Sequence, residues 1–187
     1  MRLFVALDIS SAIRDSIDKL SQEWRQIDNS WRWVRARNLH ITLKFLGEIP
    51  DERVDGIVEA LRGVAFGQAF VMTFRGLGFF PGERRPHVLW VGIEAEDSLP
   101  GLAKRIDEAV GKESAHGEPY EFTPHLTLAR NKDGRISTAF RELIVKNSGR
   151  QFGTMEAAAF HLMRSELRSA GAEYTTLATF PVSPKTA

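Results

Sequence analysis

Two histidines stand in matching tetrapeptides, His40-Ile41-Thr42-Leu43 and His125-Leu126-Thr127-Leu128. Alternate side chains of a β-strand point to the same face, so each tetrapeptide would place an imidazole beside a threonine hydroxyl. Near neutral pH, one imidazole can accept a proton while a second imidazole donates one. Hydroxyl groups can donate hydrogen bonds to non-bridging phosphoryl oxygens. The two pairs therefore predict metal-free acid–base catalysis of an in-line displacement at phosphorus.

The other three histidines do not stand in matched surroundings. His87 opens a predicted strand, His116 lies in a polar loop and His161 lies in an apolar strand, so we interpret all three as structural. A metal site needs three or more ligands, and neither tetrapeptide has an acidic residue two positions away on the same face. We therefore expect neither a metal ion nor a cofactor.

The composition excludes several classes of site. The chain has 187 residues, 25 Lys and Arg, 24 Asp and Glu, and no Cys, so a cysteine nucleophile, a disulfide scaffold and a cysteine-ligated metal are excluded. With a formal net charge of +1, any contact with nucleic acid must come from a local patch. The apolar run at the start is too short for a secretory signal or a membrane span. We expect a soluble, cytoplasmic protein with no membrane association and no obligate protein partner.

The apolar pattern predicts alternating strands and helices in both halves of the chain. In the first half it predicts strands over 3–9, 31–37, 39–46 and 70–80, and helices over 11–26 and 54–61, with Ser11 capping the first helix. In the second half it predicts strands over 87–93, 122–129, 155–163 and 174–182, and helices over 98–110 and 136–145.

The two halves repeat the same order of elements. Alignment of the tetrapeptides gives an offset of 85 residues, which also maps the strand at Leu3 onto the strand at Val88. We interpret this repeat as a duplication that produced two similar α+β lobes around a pseudo-two-fold axis, with a ligand cleft between them. The prediction is one bilobal domain over 1–187, with repeats at about 2–80 and 87–164 and a closing strand over 174–182.

Several segments together carry a family resemblance: 2–8, the motifs 40–47 and 122–130, and the closing Ser165-Glu166-Leu167 with Gly171 and Tyr174. Through them the sequence resembles the two-histidine (2H) phosphoesterases, and within these the bacterial and archaeal RNA 2′,3′-cyclic phosphodiesterases, also described as 2′-5′ RNA ligases. The resemblance implies a bilobal fold in which two antiparallel-rich sheets line a groove, helices lie outside, and both His-x-Thr pairs lie at the groove centre.

The resemblance also implies an activity and residue roles. Members are metal-independent enzymes that open RNA 2′,3′-cyclic phosphate ends to 2′-phosphomonoesters, and the reverse reaction is a 2′-5′ ligation. His40 would be the proton donor and His125 the proton acceptor, with Thr42 and Thr127 binding substrate. Arg130 would bind substrate as well, although strict alternation from His125 turns it away unless the strand ends or bulges first.

Two further points stay open at the level of sequence. If 31–37 is a strand, one face carries aromatic and basic residues that could stack a base and follow a phosphodiester, namely Trp31, Trp33, Arg35 and Arg37. The alternative is a packed Trp pair beside solvated arginines. For the function, the alternatives are a cyclic phosphodiesterase for a small nucleotide such as ADP-ribose 1″,2″-cyclic phosphate, and a non-catalytic module that binds RNA ends.

Overall fold

The computed structural model describes residues 1–64, 66–113, 122–169 and 171–181, which form two antiparallel sheets and outer helices. The strands are β1 (Arg2–Leu7), β2 (Arg32–Trp33), β3 (Ile41–Glu48), β4 (Val71–Phe80), β5 (Val88–Glu94), β6 (His125–Arg130), β7 (Gln151–Glu156), β8 (Ala159–Arg168) and β9 (Gly171–Pro181). The α-helices are α1 (Ser11–Trp24), α2 (Val54–Arg62), α3 (Ser98–Val110) and α4 (Thr138–Lys146), and short 3₁₀ helices cover Ala36–Asn38, Asp51–Arg53 and Gly111–Glu113. The predicted α+β class is confirmed.

Each sheet combines strands from both halves of the sequence. The strand order is β3-β1-β8-β9 in the first sheet and β2-β6-β5-β4-β7 in the second. Strand β4 of the first half thus lies beside β5, and β8 of the second half lies beside β1. The halves of the chain thus exchange strands between the sheets. The helices are also divided between the sheets, since α2 and α3 pack on the first sheet and α1 and α4 on the second. Neither lobe is therefore a contiguous half of the chain.

The first helix illustrates how the sequence pattern sets an element. Its apolar residues recur every three or four positions, which places them on one stripe, and all of them are buried: Ile13, Ile17, Leu20 and Trp24. Ser10 caps the helix, because its backbone is extended and its hydroxyl accepts a hydrogen bond from the amide of Ile13. The prediction of Ser11 as the cap is therefore wrong by one residue.

The segment that was expected to form a strand over 31–37 is mostly not a strand. β2 covers two residues and a 3₁₀ helix follows it, so side-chain alternation does not continue to Arg37. Trp31 is 4% exposed, and its ring centroid lies 5.7 Å from that of Phe140. Trp33 meets Phe140 edge-on at 6.4 Å. The prediction of an exposed aromatic face is therefore wrong, and the alternative of a packed Trp pair is correct. Burial of the two large rings against α4 stabilises the fold.

The strand predicted over 155–163 is in fact two strands. β7 pairs with β4 in the second sheet, whereas β8 pairs with β1 in the first. The chain must leave one sheet and enter the other between them, and it does so at the residues after Glu156, where Ala157 donates its amide to the carbonyl of Phe70.

Of the other predictions, Val182 at the end of the last strand lies outside the described residues. No helix in the described part of the chain is long and apolar enough to cross a membrane.

Candidate active site

A groove of about 920 Å³ lies between the two sheets, where β3 meets β6. The sequence-predicted site residues all line it, namely His40, Thr42, His125, Thr127 and Arg130. They come from opposite sheets, and one His-x-Thr motif stands on each side. The predicted central groove carrying the two motifs is confirmed.

His40 is held in one orientation by its surroundings. Its Nδ1 donates a hydrogen bond to the carbonyl of Asn38 at 2.7 Å, and its Nε2 lies 3.0 Å from the hydroxyl oxygen of Thr42. The ring lies 4.9 Å from that of Phe4 and meets Tyr174 edge-on at 5.2 Å. Because a carbonyl can only accept, the neutral imidazole carries its proton on Nδ1, and Nε2 is the atom available for proton transfer.

His125 has the same arrangement in the other sheet. Its Nδ1 donates to the carbonyl of Thr123, again two residues earlier and again at 2.7 Å. Its ring meets Phe80 edge-on at 4.9 Å, and Phe80 in turn packs against Trp90 at 5.2 Å. Nε2 is therefore the nitrogen available for proton transfer in this imidazole as well.

The electrostatic environment favours the neutral form of both histidines. Burial is the largest influence and lowers the pKa of His40 and of His125, and the hydrogen bond to a carbonyl opposes this in each case. The positive charge of Arg130 also lowers the pKa of both imidazoles. Asp8 raises the pKa of His40, and Arg14 lowers it. Asp8 is thus the charged neighbour that favours a proton on His40.

A β-bulge in β6 turns Arg130 into the groove. The cross-strand partners step from the pair Trp90–Thr127 to the pair Leu89–Ala129, so Leu128 is an extra residue in β6. Leu128 and Ala129 are consequently both buried, and alternation resumes with Arg130 on the groove side. The sequence allowed Arg130 to face the site only if the strand ended or bulged, and the strand bulges.

Strand β3 bulges at the equivalent place. Its partners step from the pair Ala6–Thr42 to the pair Val5–Lys44, which leaves Leu43 as the extra residue. The groove-facing residue beyond this bulge is Phe45, which is 50% exposed. Phe45 therefore occupies in the first motif the place that Arg130 has in the second.

Arg14 of α1 supports the segment that precedes His40. Its guanidinium donates to the carbonyls of Ala36 and Leu39 and to the carboxylate of Asp8, the last at 2.5 Å. The two carbonyls flank Asn38, whose own carbonyl accepts the Nδ1 proton of His40. No sequence motif points to Arg14, since the carbonyls that it binds are more than twenty positions away along the chain.

Two of the remaining histidines, His87 and His161, lie away from the groove. Nδ1 of His87 donates to the carbonyl of Asn131 at 3.0 Å, and Nδ1 of His161 is hydrogen-bonded to the hydroxyl of Thr179 at 3.0 Å. Neither residue lines the groove. His116 lies outside the described residues. Within the described ranges, no three His, Asp or Glu side chains are grouped closely enough to hold a metal ion.

Comparison with known proteins adds to this geometry. A family model described as LigT-like phosphoesterase matches two consecutive segments, 7–90 and 91–174. The RNA 2′,3′-cyclic phosphodiesterase of Archaeoglobus fulgidus is 36% identical over 180 residues, which are 96% of this chain and 99% of that protein. The RNA 2′,3′-cyclic phosphodiesterase of Methanothermobacter thermautotrophicus is 31% identical over 181 residues, 96% of this chain and 98% of that protein. The crystal structure of TT0787 of Thermus thermophilus matches with a TM-score of 0.81 and 29% identity over 97% of this chain and 98% of the other.

Proposed function

Because the chain belongs to the LigT-like phosphoesterase family, we propose that it is an RNA 2′,3′-cyclic phosphodiesterase, which hydrolyses cyclic phosphate ends to 2′-phosphomonoesters. The observation that carries this proposal is the matched pair of imidazoles across the groove. Each has Nδ1 bound to a carbonyl and Nε2 left for proton transfer. Two such groups provide the acid and the base that the displacement requires.

We assign the proton acceptor to His125 and the proton donor to His40. Nε2 of His125 takes a proton from water as the water oxygen bonds to phosphorus. The bond from phosphorus to the 3′ oxygen breaks, and the proton on Nε2 of His40 goes to that oxygen, which leaves a 3′-hydroxyl and a 2′-phosphate. Asp8 is the one charged neighbour that supports this assignment, since its negative charge raises the pKa of His40, whereas burial, Arg130 and Arg14 lower that pKa.

We propose that Thr42, Thr127 and Arg130 bind the non-bridging oxygens of the phosphate. Arg130 supplies the positive charge, and a guanidinium forms charge-assisted hydrogen bonds to phosphoryl oxygens. The hydroxyl of Thr42 lies against Nε2 of His40. When that nitrogen is protonated it can no longer accept a hydrogen bond from the hydroxyl, and the hydroxyl hydrogen is then free to bind the phosphate.

Three further statements belong to the proposal. The reaction is independent of metal ions, because two imidazoles and one arginine provide acid, base and charge. The same groups catalyse the reverse 2′-5′ ligation when a 5′-hydroxyl replaces water, by microscopic reversibility. The chain forms one bilobal domain that arose by duplication, which the equivalent bulges of β3 and β6 support, and it acts in the cytoplasm, as its lack of cysteine suggests.

The test is an incubation of the purified protein with a short RNA that carries a 2′,3′-cyclic phosphate, in excess EDTA. We expect hydrolysis to a 2′-phosphate. A 3′-phosphate product would reverse the assignment of donor and acceptor. Loss of activity with EDTA that a divalent ion restores would contradict metal independence, and binding of the RNA without hydrolysis would support the non-catalytic alternative.

A further inference from the structure

Arg32 lies directly across from Arg130. In the pairing of β2 with β6, Arg32 is opposite Arg130 and Trp33 is opposite Ala129. Residues opposite each other in a sheet project to the same face. Trp33 packs against Phe140 and Ala129 is fully buried, so that pair faces the core. Arg32 and Arg130 therefore project to the other face, which is the face that lines the groove.

The neighbour of Arg32 on the same face supports this placement. Val34 is two positions further along the chain, and it lines the groove together with Arg130. Its amide donates to the carbonyl of Leu128 at 2.8 Å, which holds the segment after β2 against β6. Arg32 is itself exposed. Arg32 does not itself line the groove, but its side chain leaves the sheet on the same face, directly beside Arg130 at the end of the groove.

Two like charges directly opposite each other destabilise a sheet. Within the described ranges, neither Arg32 nor Arg130 forms an ion pair with a carboxylate. Two bound anions would remove the repulsion between the guanidinium groups. Opposite residues have Cβ atoms about 5 Å apart, and long arginine side chains can spread from there to two neighbouring phosphates of one strand.

We propose that Arg32 forms a second anion subsite beside Arg130, and that it binds the phosphodiester on the 5′ side of the terminal nucleoside. This inference rests on the proposed function, in which Arg130 contacts the cyclic phosphate itself. A cyclic mononucleotide has no such phosphodiester. The enzyme therefore favours an RNA end of two or more nucleotides over a cyclic mononucleotide.

The test compares kcat/KM on 2′,3′-cyclic AMP with kcat/KM on a dinucleotide that ends in the same 2′,3′-cyclic adenosine. We expect the wild-type protein to favour the dinucleotide by about tenfold, the effect of one hydrogen bond to a charged group. Arg32→Gln removes this preference, because it lowers kcat/KM on the dinucleotide and leaves the mononucleotide nearly unchanged. Arg32→Lys, which retains the charge, keeps part of the preference.

Arg62→Gln is the matched control, since it removes the same charge from an exposed residue of α2 that pairs with Glu59. It leaves the preference unchanged. Equal losses on both substrates in Arg32→Gln would overturn the subsite, as would no loss on either. A third substrate, ADP-ribose 1″,2″-cyclic phosphate, tests the source of the second anion: an Arg32-dependent preference for it over the dinucleotide would overturn the assignment to RNA.

A binding experiment separates failure of the subsite from failure of the proposed function. Calorimetry measures the affinity for adenosine 2′-monophosphate and for a dinucleotide with a terminal 2′-phosphate, in wild type and in Arg32→Gln. We expect the dinucleotide to lose affinity in the variant, and the slope of log affinity against log salt to fall by roughly 0.7. Wild-type protein that hydrolyses no cyclic phosphate would overturn the proposed function, whereas unchanged dinucleotide affinity in the variant would overturn the subsite alone.

Discussion

The two histidine motifs have the same backbone but different neighbours. In both, Nδ1 donates to the carbonyl two residues earlier, and in both a bulge follows the threonine. Asp8, Arg14 and Tyr174 surround His40, whereas Phe80 packs on His125 and Arg130 follows it. The backbone thus places two equivalent imidazoles, and the charged groups around them are what differs most clearly between the two motifs.

The equivalence of the two imidazoles is tested most strongly by removing each of them. His40→Ala and His125→Ala each lower kcat/KM by about 10²–10⁴, the usual contribution of a positioned acid or base. The double variant is far less than multiplicatively worse, because the two residues act in one step. Steady-state kinetics on an RNA with a cyclic phosphate end measure both effects, with circular dichroism as the control for folding. Near-normal turnover in either variant, together with inactivity of His87→Ala or His161→Ala, would show that the wrong pair was chosen.

Substitution of the groove-facing residue beyond each bulge, Arg130 or Phe45, tests how much this difference between the two motifs matters for activity. Arg130→Gln lowers kcat/KM by about 10–100-fold, since a hydrogen bond from a charged group to the phosphate is lost. Phe45→Leu changes the residue in the equivalent place of the first motif and removes no charge, so its loss is smaller. Kinetics on one substrate compare the two variants directly. A larger loss in Phe45→Leu would mean that the aromatic wall, and not the charge, is the more important difference.

The pH profile sharpens the comparison of acid and base. Burial lowers the pKa of both histidines below the usual value of 6.5. The residue that must be protonated therefore loses its proton as pH rises through a value below 6.5, and kcat/KM peaks in the acidic range and falls up to tenfold per pH unit above it. The acidic limb flattens in His125→Ala and the basic limb flattens in His40→Ala. A basic limb that begins above about pH 7.5, or limbs that flatten in the opposite variants, would contradict this account.

Much of the site follows from local sequence, and the rest depends on contacts between distant residues. The two His-x-Thr motifs and the conditional role of Arg130 could be inferred because strand alternation is a local property. The exchange of β4 and β8 between sheets could not, since it joins residues such as Leu3 and Arg164 at opposite ends of the chain. The burial of Trp31 against α4 depends on tertiary packing in the same way, as does the contact of Arg14 with the carbonyls beside Asn38.

The smallest expected effect is on the pKa of His40. Substitution of two of its charged neighbours, Asp8 and Arg14, should shift this pKa in opposite directions. Asp8→Asn removes a negative charge that raises the pKa of His40, so this pKa falls. Arg14→Met removes a positive charge that lowers the same pKa and leaves Asp8 without its partner, so the pKa rises. The other influences on this pKa are burial, the Asn38 carbonyl and the charge of Arg130, and neither substitution replaces those residues.

NMR titration of the two imidazoles in the free protein measures these shifts. The shift in Asp8→Asn is small, because Asp8 is 66% exposed and salt screens its charge. The pKa of His125 stays constant in both variants, since neither Asp8 nor Arg14 acts on it. Asp15→Asn is the control, because it removes the same charge at a residue that acts on neither imidazole.

Loosening of the segment before His40 would move the His40 pKa in the same direction in both variants, so shifts of opposite sign identify a charge effect. Equal shifts at His40 and His125 would mean that Asp8 and Arg14 do not distinguish the two motifs, and the donor assignment would then lose its electrostatic support.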